Sequence, residues 1–307
     1  MSKIIAAHKL LMNNPKKIFI TLGRNGLLGF IPDKIYLKIA FKLETGYNIN
    51  FKHPRTYNEK LNWLKLYDRK EEYKNYADKY LVRNVVKDRI GETYLIPLID
   101  VFDSYKEINF DNLPNRFVIK SSNGSGGTTN IICRNKNEIN IKDTLKIIRS
   151  WSKIKTYKGG REWCYKGIKH RIIVEKLLEN DNGVIPDDYK FMCFNGEPKL
   201  IQHHHDRYGN HTLNYYYPDW TPSNLKRVDV KKSDQIVEKP KNLSKMIQIA
   251  RELSKNMYFA RIDLYNINGK IYFGEITMYP TSGFSSFDSY EDDLILGSWL
   301  KLPCDTK

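Results

Sequence analysis

Cysteine is scarce in this chain. Its 307 residues hold four, Cys133, Cys164, Cys193 and Cys304, too few for a disulfide scaffold and without the C-x-x-C spacing of zinc ribbons or dithiol redox sites. Reduced thiols in a cytosolic protein are the expectation. Long apolar runs are missing too: none approaches the ~18 residues that a membrane-spanning helix needs. Met1–Leu11, interrupted by His8 and Lys9, is too short for a signal-peptide core, so no export is expected. Cys304 stands where a prenylated cysteine would, but Asp305 and Thr306 are not aliphatic, which excludes that anchor. Acidic residues are outnumbered, 35 against 51 Lys and Arg, for a net charge of +16. Such a field favours phosphorylated or polyanionic partners and leaves nucleic acid, anionic polysaccharide and anionic membrane open. Internal repeats and low-complexity linkers are absent as well.

What remains is globular composition, 41% hydrophobic and 28% charged, in a chain long enough for one large or two ordinary domains. Residues 1–50 read as short basic amphipathic helices broken at Gly26, Gly29 and Pro32, either a helical cap on the main body or a membrane-surface or partner-docking element. Thr56 followed by Glu59 ahead of Leu61, Leu64 and Leu66 is a capping-box start, and a second helix is expected over Glu71–Asp88, stopping at Gly91. Near residue 90 the texture changes to strands. Tyr94–Val101 carries Pro97 as an edge signal, Arg116–Lys120 is a buried run, and Arg171–Leu177 and Tyr189–Phe194 follow, the last turning at Asn195-Gly196 into Lys199–His203. Lys241–Lys255 has a one-sided apolar stripe and feeds a strand over Ala260–Tyr265.

Three stretches carry chemistry. Phe117–Ile132 reads as strand, Gly/Ser/Thr loop and strand; Gly124, Ser125, Gly126 and Gly127 let backbone N–H groups converge on an anion while Lys120 reaches in from the preceding strand. It lacks the Gly-Lys-Ser/Thr of a P-loop and the G-x-G-x-x-G of a dinucleotide fingerprint, so a hairpin flap over phosphates is the reading. Arg261-Ile-Asp263 and Glu275-Ile-Thr277 place two carboxylates and a neutral oxygen on adjacent strands, a donor set for a hard cation such as Mg²⁺. Ile173–Leu178 followed by Asp188-Tyr-Lys190-Phe can offer backbone to an adenine edge and an acid to ribose hydroxyls. Asp263 and Glu275 can share an ion only if their hairpin has an odd offset. A two-residue turn at Asn268-Gly269 alone would pair Asp263 with Gly274 and send Glu275 to the other face. A three-residue loop Ile267-Asn268-Gly269, with Gly269 left-handed as a bulge, is the simplest remedy.

Outside these, His203 and His205 share one strand face and His204 the other, with no third ligand in view for zinc. Arg207 and His211 are candidates to clamp an acceptor carboxylate. Tyr215, Tyr216, Tyr217 and Trp220 are candidates to stack on sugar rings.

Taken together and in this order, the three stretches resemble the ATP-grasp superfamily over roughly residues 56–302. In finer detail, Thr56–Arg69, Ala77–Arg83, the Lys120–Gly127 loop and Asp188-Tyr-Lys190-Phe resemble the branch named after a teichuronopeptide biosynthesis protein, TupA. The resemblance implies an α/β (α+β) fold of two α+β subdomains clasping ATP, with an N-terminal helical extension. It suggests a basic extension over 1–55, a helical lead-in over 56–90, a flap subdomain over 91–180 and a catalytic subdomain over 181–307. It implies that Lys79 and Lys120 contact ATP phosphates, together with Ser125, Gly126 and Gly127. Glu175, Lys176 and Leu178 fall on the hinge facing adenine, and Asp188, with Lys190 close by, on the ribose side. Arg261 matches the arginine set against the transferring phosphoryl group; Asp263 and Glu275 match the Mg²⁺ carboxylates, and Thr277 stands where the superfamily usually has Asn.

The activity so implied is ATP-dependent, Mg²⁺-assisted joining of a carboxylate to an amine through an acylphosphate. The branch suggests a uronic acid of a bacterial capsule or surface polysaccharide, or its lipid-linked precursor, as one substrate, and an amino acid or amine as the other. Nucleic acid is not an expected partner; the expected location is the cytoplasm, with the inner face of the cytoplasmic membrane as an option within it. A polysaccharide-pathway glycosyltransferase is the alternative, though no D-x-D lies in a nucleotide-sugar setting; a non-catalytic polyanion binder would explain the basicity alone.

Overall fold

The computed structural model of the chain describes residues 15–124, 127–154, 156–207, 209–234 and 237–303. Two short helices come first, α1 (Pro15–Arg24) and α2 (Asp33–Thr45), separated by a run in which Gly26 is left-handed at φ 76°. The expected breaks at Gly26, Gly29 and Pro32 all fall there, while Met1–Leu11 lies outside the described residues. Tyr36, Leu37, Ala40 and Phe41, spaced to one side of α2, bury completely in a small core with Phe51 and the flanks of Trp63 and Leu66.

Thr56 caps α3 (Tyr57–Tyr67) as its sequence dictates. Its hydroxyl accepts from the Glu59 N–H at 3.1 Å and the Glu59 carboxylate accepts from the Thr56 N–H at 3.0 Å. The stretch expected as one helix over Glu71–Asp88 is instead two, α4 (Tyr73–Ala77) and α5 (Val82–Ile90). The break has a cause. Buried Asp78 turns its carboxylate onto the N–H groups of Tyr80 and Leu81, at 2.8 and 3.1 Å, and the freed Lys79 N–H bonds the Ser122 carbonyl at 2.8 Å. A tertiary partner displaces the helical one, and Lys79 leaves the helix surface.

Two antiparallel sheets make up the rest. The first has β1 (Leu98–Phe102), β2 (Phe117–Ser121), β3 (Asn130–Cys133) and β4 (Ile172–Lys176) in the order β1-β4-β2-β3, so the Pro97 segment does feed an edge strand. One face packs on α6 (Ile141–Trp151) through Phe117, Ile119, Ile172 and Val174. α7 (Thr156–Gly160) returns the chain toward α1. The second sheet runs β7-β6-β5-β8-β9, built from β5 (Asp188–Phe194), β6 (Glu197–His205), β7 (Thr212–Tyr216), β8 (Phe259–Ile267) and β9 (Lys270–Thr277). Asn195 and Gly196 are both left-handed, as a two-residue turn between β5 and β6 requires. The amphipathic α8 (Leu243–Ser254) covers this sheet with Met246, Ile249, Ala250 and Leu253, and α9 (Tyr290–Trp299) packs on α3.

The β8–β9 hairpin has the odd offset, by a different device from the expected three-residue loop. Asn268 and Gly269, at φ 51° and 83°, form a plain two-residue turn that pairs Ile267 with Lys270 and Leu264 with Phe273. The register then slips between Leu264 and Asp263, so that Asp263 opposes Glu275 and Arg261 opposes Thr277. Gly274 is the residue passed over. A Cβ there would lie 3.1 Å from the Asp263 carbonyl oxygen and 3.2 Å from the Tyr265 ring, so glycine admits the close approach that the bulge needs.

Candidate functional site

A cleft of about 530 Å³ separates the two sheets, and strand alternation decides which side chains line it. From the first sheet Val118 and Lys120 on β2 and Asn130 and Ile132 on β3 face in, while their neighbours Phe117, Ile119, Ile131 and Cys133 pack toward α6. From the second sheet come Asp188 and Lys190 on β5, Arg261 and Asp263 on β8, and Glu275 and Thr277 on β9. Lys79 enters at the break between α4 and α5.

The cross-strand ladder sets the charges in a row. Lys190 is paired with Asp263, and Asp263 with Glu275, so the three stand side by side on one face. The Lys190 ammonium bonds Asp263 and lies 3.5 Å from Asp188. Arg261 grips Asp263 with a two-pronged contact at 2.7 and 2.8 Å, and its outer nitrogen also reaches Glu275 at 2.9 Å and the Thr277 hydroxyl at 3.1 Å. Burial pushes the Asp263 carboxyl up while Arg261 and Lys190 hold it back. Burial would raise Glu275 too, but Lys79, Arg261, Lys190 and Arg207 outweigh it and keep that carboxyl well below the usual carboxylate range. Burial pulls down on Arg261, but Asp263 and Glu275 outweigh it and leave its guanidinium more firmly protonated than usual.

The facing wall has its own circuit. Lys120 bonds the Glu175 carboxylate at 2.7 Å, and Arg83 holds the same carboxylate at 2.9 Å while also bonding the Ile96 carbonyl at 2.9 Å. Val118 opposes Glu175 and Lys120 opposes Ile173, so Lys120 and Glu175 are diagonal neighbours on the cleft side. Lys79 bonds the Gly124 carbonyl and lies 3.9 Å from Glu275; burial, then the Lys120 charge against the nearby carboxylates, leaves it lowered. Lys79 thus stands between the two walls.

Farther along the second sheet, Arg207 lies 3.3 Å from Asp188, and His211 donates to or accepts from His204 at 2.8 Å with the two rings stacked. Burial lowers both imidazoles, with Lys190 and Arg261 adding to it at His204 and Arg207 at His211, so the pair is neutral at neutral pH. Arg207 therefore supplies the charge at this end and His211 a hydrogen bond. Arg227 and Asp229, from the long excursion after β7, also line the cleft.

Lys79, Lys120, Gly127, Lys176, Leu178, Asp188, Lys190, Arg207, His211, Arg261, Asp263, Glu275 and Thr277 all line this one cleft. Glu175 is not among the lining residues: its carboxylate, on the same face of the sheet as Lys120, is held by Lys120 and Arg83. Ser125 and Gly126 lie outside the described residues, as does Cys304. Tyr215, Tyr216 and Trp220 are buried, Tyr216 and Trp220 stacked at 4.2 Å, so they are packing and not a sugar platform; Tyr217 alone of the four is exposed. His203 and His205 both turn to Asp187 on the far side of the sheet. Arg83, His204 and Arg227 were not singled out as site residues. Strand alternation from Lys190 and Gln202 was the available signal for His204; Arg83 and Arg227 arrive from elements whose placement is tertiary.

A family model for TupA-like ATP-grasp domains matches residues 59–301. The chain belongs to the TupA-like ATP-grasp family. No protein with a curated description matches its sequence. Among solved structures, D-alanine–D-alanine ligase from Bacillus anthracis is 15% identical at a TM-score of 0.41, with 66% of this chain and 57% of that one covered. The ADP complex of PurK, an N5-carboxyaminoimidazole ribonucleotide synthetase, is 11% identical at 0.46, with 81% and 58% covered. D-alanyl-alanine synthetase A from Vibrio cholerae is 9% identical at 0.43, with 90% and 71% covered. The chain thus spans little more than half the length of the first two.

Two carboxylates that oppose each other on one face, with a hydroxyl beside them, fit Mg²⁺ in this ATP-grasp cleft. Among the described residues no group of three His, Cys, Asp or Glu is placed to hold a metal unaided. That suits an ion that takes one or two carboxylates and fills its shell with substrate phosphates and water. Lys190, Arg261 and Lys79 now occupy Asp263 and Glu275, and would share them with the ion.

Proposed function

We propose that this chain is an ATP-dependent carboxylate–amine ligase that forms an amide on a uronic acid of a bacterial surface polysaccharide or its lipid-linked precursor, using an amino acid or amine. The observation that carries the reading is the confrontation across one cleft of Lys79 and Lys120 with Arg261, Asp263 and Glu275. Polyphosphate needs cations from both sides, and a transferring phosphoryl group needs one more at the point of transfer.

The apolar stretch of the cleft, with Ile96, Val118, Ile132, Leu178 and Ile185, suits a planar base. Lys120 and Lys79 then meet the phosphates, and Arg261 faces the γ-phosphoryl group. Mg²⁺, held by Asp263 and Glu275 with Thr277 beside them, would neutralise phosphate charge. An acceptor carboxylate oxygen attacks the γ-phosphorus and ADP leaves; the amine then attacks the acyl carbon, phosphate leaves, and the surplus proton passes to solvent or base. Arg207, 3.3 Å from Asp188 on the second sheet, would orient the acceptor carboxylate. A net charge of +16 supports a polyanionic acceptor over a neutral one.

The test is purified protein with ATP, Mg²⁺ and a panel of amines, with and without uronate oligosaccharide, scored for ADP and for new amide mass. ADP release that requires the uronate, with one amine giving a mass gain, is the expected result. Tight uronate binding with no ADP under any combination would replace the ligase by a polyanion-binding protein.

A further inference from the structure

Four exposed apolar side chains fall within thirteen residues near the N-terminal end of the described chain, the most exposed of them more so than any other large hydrophobic among the described residues. Phe30 is 82% exposed, Leu27 62%, Ile35 52% and Ile39 39%. The loop that holds the first two is not a loose one. The Gly26 N–H bonds the Gly23 carbonyl at 2.8 Å, the Leu27 N–H bonds Leu22 at 3.0 Å, and Arg161 reaches from the body to the Leu28 carbonyl at 2.7 Å. Leu28, between the two exposed side chains, packs inward. Leu27 and Phe30 are therefore held out by a pinned backbone.

α2 continues the pattern. Its inner side buries Tyr36, Leu37, Ala40 and Phe41, which suffices to seat it. Its outer side carries two parallel rows at helical spacing, Ile35 and Ile39 beside Lys34, Lys38 and Lys42. The acids of the segment are engaged elsewhere: Asp33 meets Arg69 at 2.7 Å and Glu44 meets Lys16 at 2.9 Å. The outer face thus offers apolar bulk with a rim of one sign.

We infer that this face docks the protein on an anionic lipid surface, with Leu27, Phe30, Ile35 and Ile39 entering the boundary between headgroups and acyl chains and Lys34, Lys38 and Lys42 meeting lipid phosphates. The one-sign rim is the reason for choosing lipid. A protein partner is matched by charges of both signs and by a shaped recess, whereas a sheet of anionic headgroups asks only for a projecting apolar tip and lysines beside it. The inference is independent of the ligase reading, since none of these residues lines the cleft.

The experiment is co-sedimentation of the full chain with vesicles of phosphatidylcholine alone and with vesicles containing about one third phosphatidylglycerol. Binding to the anionic vesicles only, weakening as salt is raised, is expected. A Leu27→Ser, Phe30→Ser chain should bind about tenfold more weakly, and a Lys34→Gln, Lys38→Gln, Lys42→Gln chain on the order of a hundredfold more weakly. Both should keep the parent melting temperature and ATP turnover in solution. No partition onto anionic vesicles, or equal partition of parent and variants, overturns the inference. So does sedimentation velocity in which Phe30→Ser converts a dimer to a monomer without altering vesicle binding, since the face would then join two copies of the chain.

Discussion

Lys120 and Glu175 are each other's nearest charge, yet they differ in what their loss would do. Removing Lys120 leaves Glu175 still held by Arg83 at 2.9 Å, so Lys120→Ala should leave the unfolding free energy within about 1 kcal/mol of the parent. ATP turnover should fall by at least about a hundredfold, the usual loss when a charge aimed at the reacting group is removed. Steady-state ADP release and urea unfolding check the two halves separately, and unchanged turnover would remove the flap lysine from the reaction. His204 makes a second prediction, in pH. Its imidazole is lowered by burial and by Lys190, Arg261, His211 and Arg207, so the folded chain keeps it neutral where the unfolded chain protonates it, at about pH 6.5. Stability is then full above that value and is lost as pH falls below it, by about 1–2 kcal/mol between pH 7 and 5. His204→Asn should remove that part of the slope in denaturation series, and a parallel slope in the two proteins would show that the imidazole is not shielded.

At the scale of elements, legibility followed locality. The capping box of α3 and the two-residue turn at Asn195-Gly196 need only neighbours in sequence, and both stand as read. The helix over Glu71–Asp88 did not, because what breaks it is the Ser122 carbonyl, and no local pattern announces a hydrogen-bond partner more than forty residues on. The β8–β9 offset was required by the chemistry of Asp263 and Glu275, but the bulge at Gly274 that supplies it is a packing outcome. Lys65 was read only as part of a motif. The structure makes it a buried hub, its ammonium bonded to the Asn62 side chain at 3.0 Å, the Gly160 carbonyl at 2.8 Å and the Ser282 carbonyl at 2.5 Å. It thereby ties α3 and α7 to the turn at Thr281-Ser282, both left-handed. Burial pulls its pKa down to about 7, against the attraction of Glu162. Lys65→Met would strand those oxygens and leave Glu162 without its cation, and should destabilise the fold by about 3–5 kcal/mol. Adding Glu162→Gln should recover part of the loss in chemical denaturation. Additive losses would mean that the two groups do not act as a pair.

For the whole molecule, Lys79, bonded to the Gly124 carbonyl and 3.9 Å from Glu275, links the two walls of the cleft. A nucleotide that engages both walls binds the folded chain alone, so MgATP at about a hundred times its dissociation constant should add about 2.7 kcal/mol of stability. For a chain of this length that corresponds to a rise in melting temperature of about 4 °C. Thermal unfolding with and without MgATP measures it, and the rise should be mostly lost in Lys120→Ala. A nucleotide that raises the melting temperature of both proteins equally would be bound somewhere other than this cleft.

The break at Asp78 has a genetic consequence. Asp78 is fully buried and not among the residues that line the cleft, yet its carboxylate helps to turn the chain so that Lys79 enters the cleft, while Arg171 and the Ser122 hydroxyl approach its other oxygen at 3.4 Å. Asp78→Ala should therefore score as a nucleotide-binding mutant in a screen for lost function, with the apparent ATP affinity down by about tenfold or more and the second sheet's chemistry intact. Isothermal titration with a non-hydrolysable ATP analogue checks it. Parent-like affinity in a folded Asp78→Ala chain would mean that Lys79 finds the cleft without the turn.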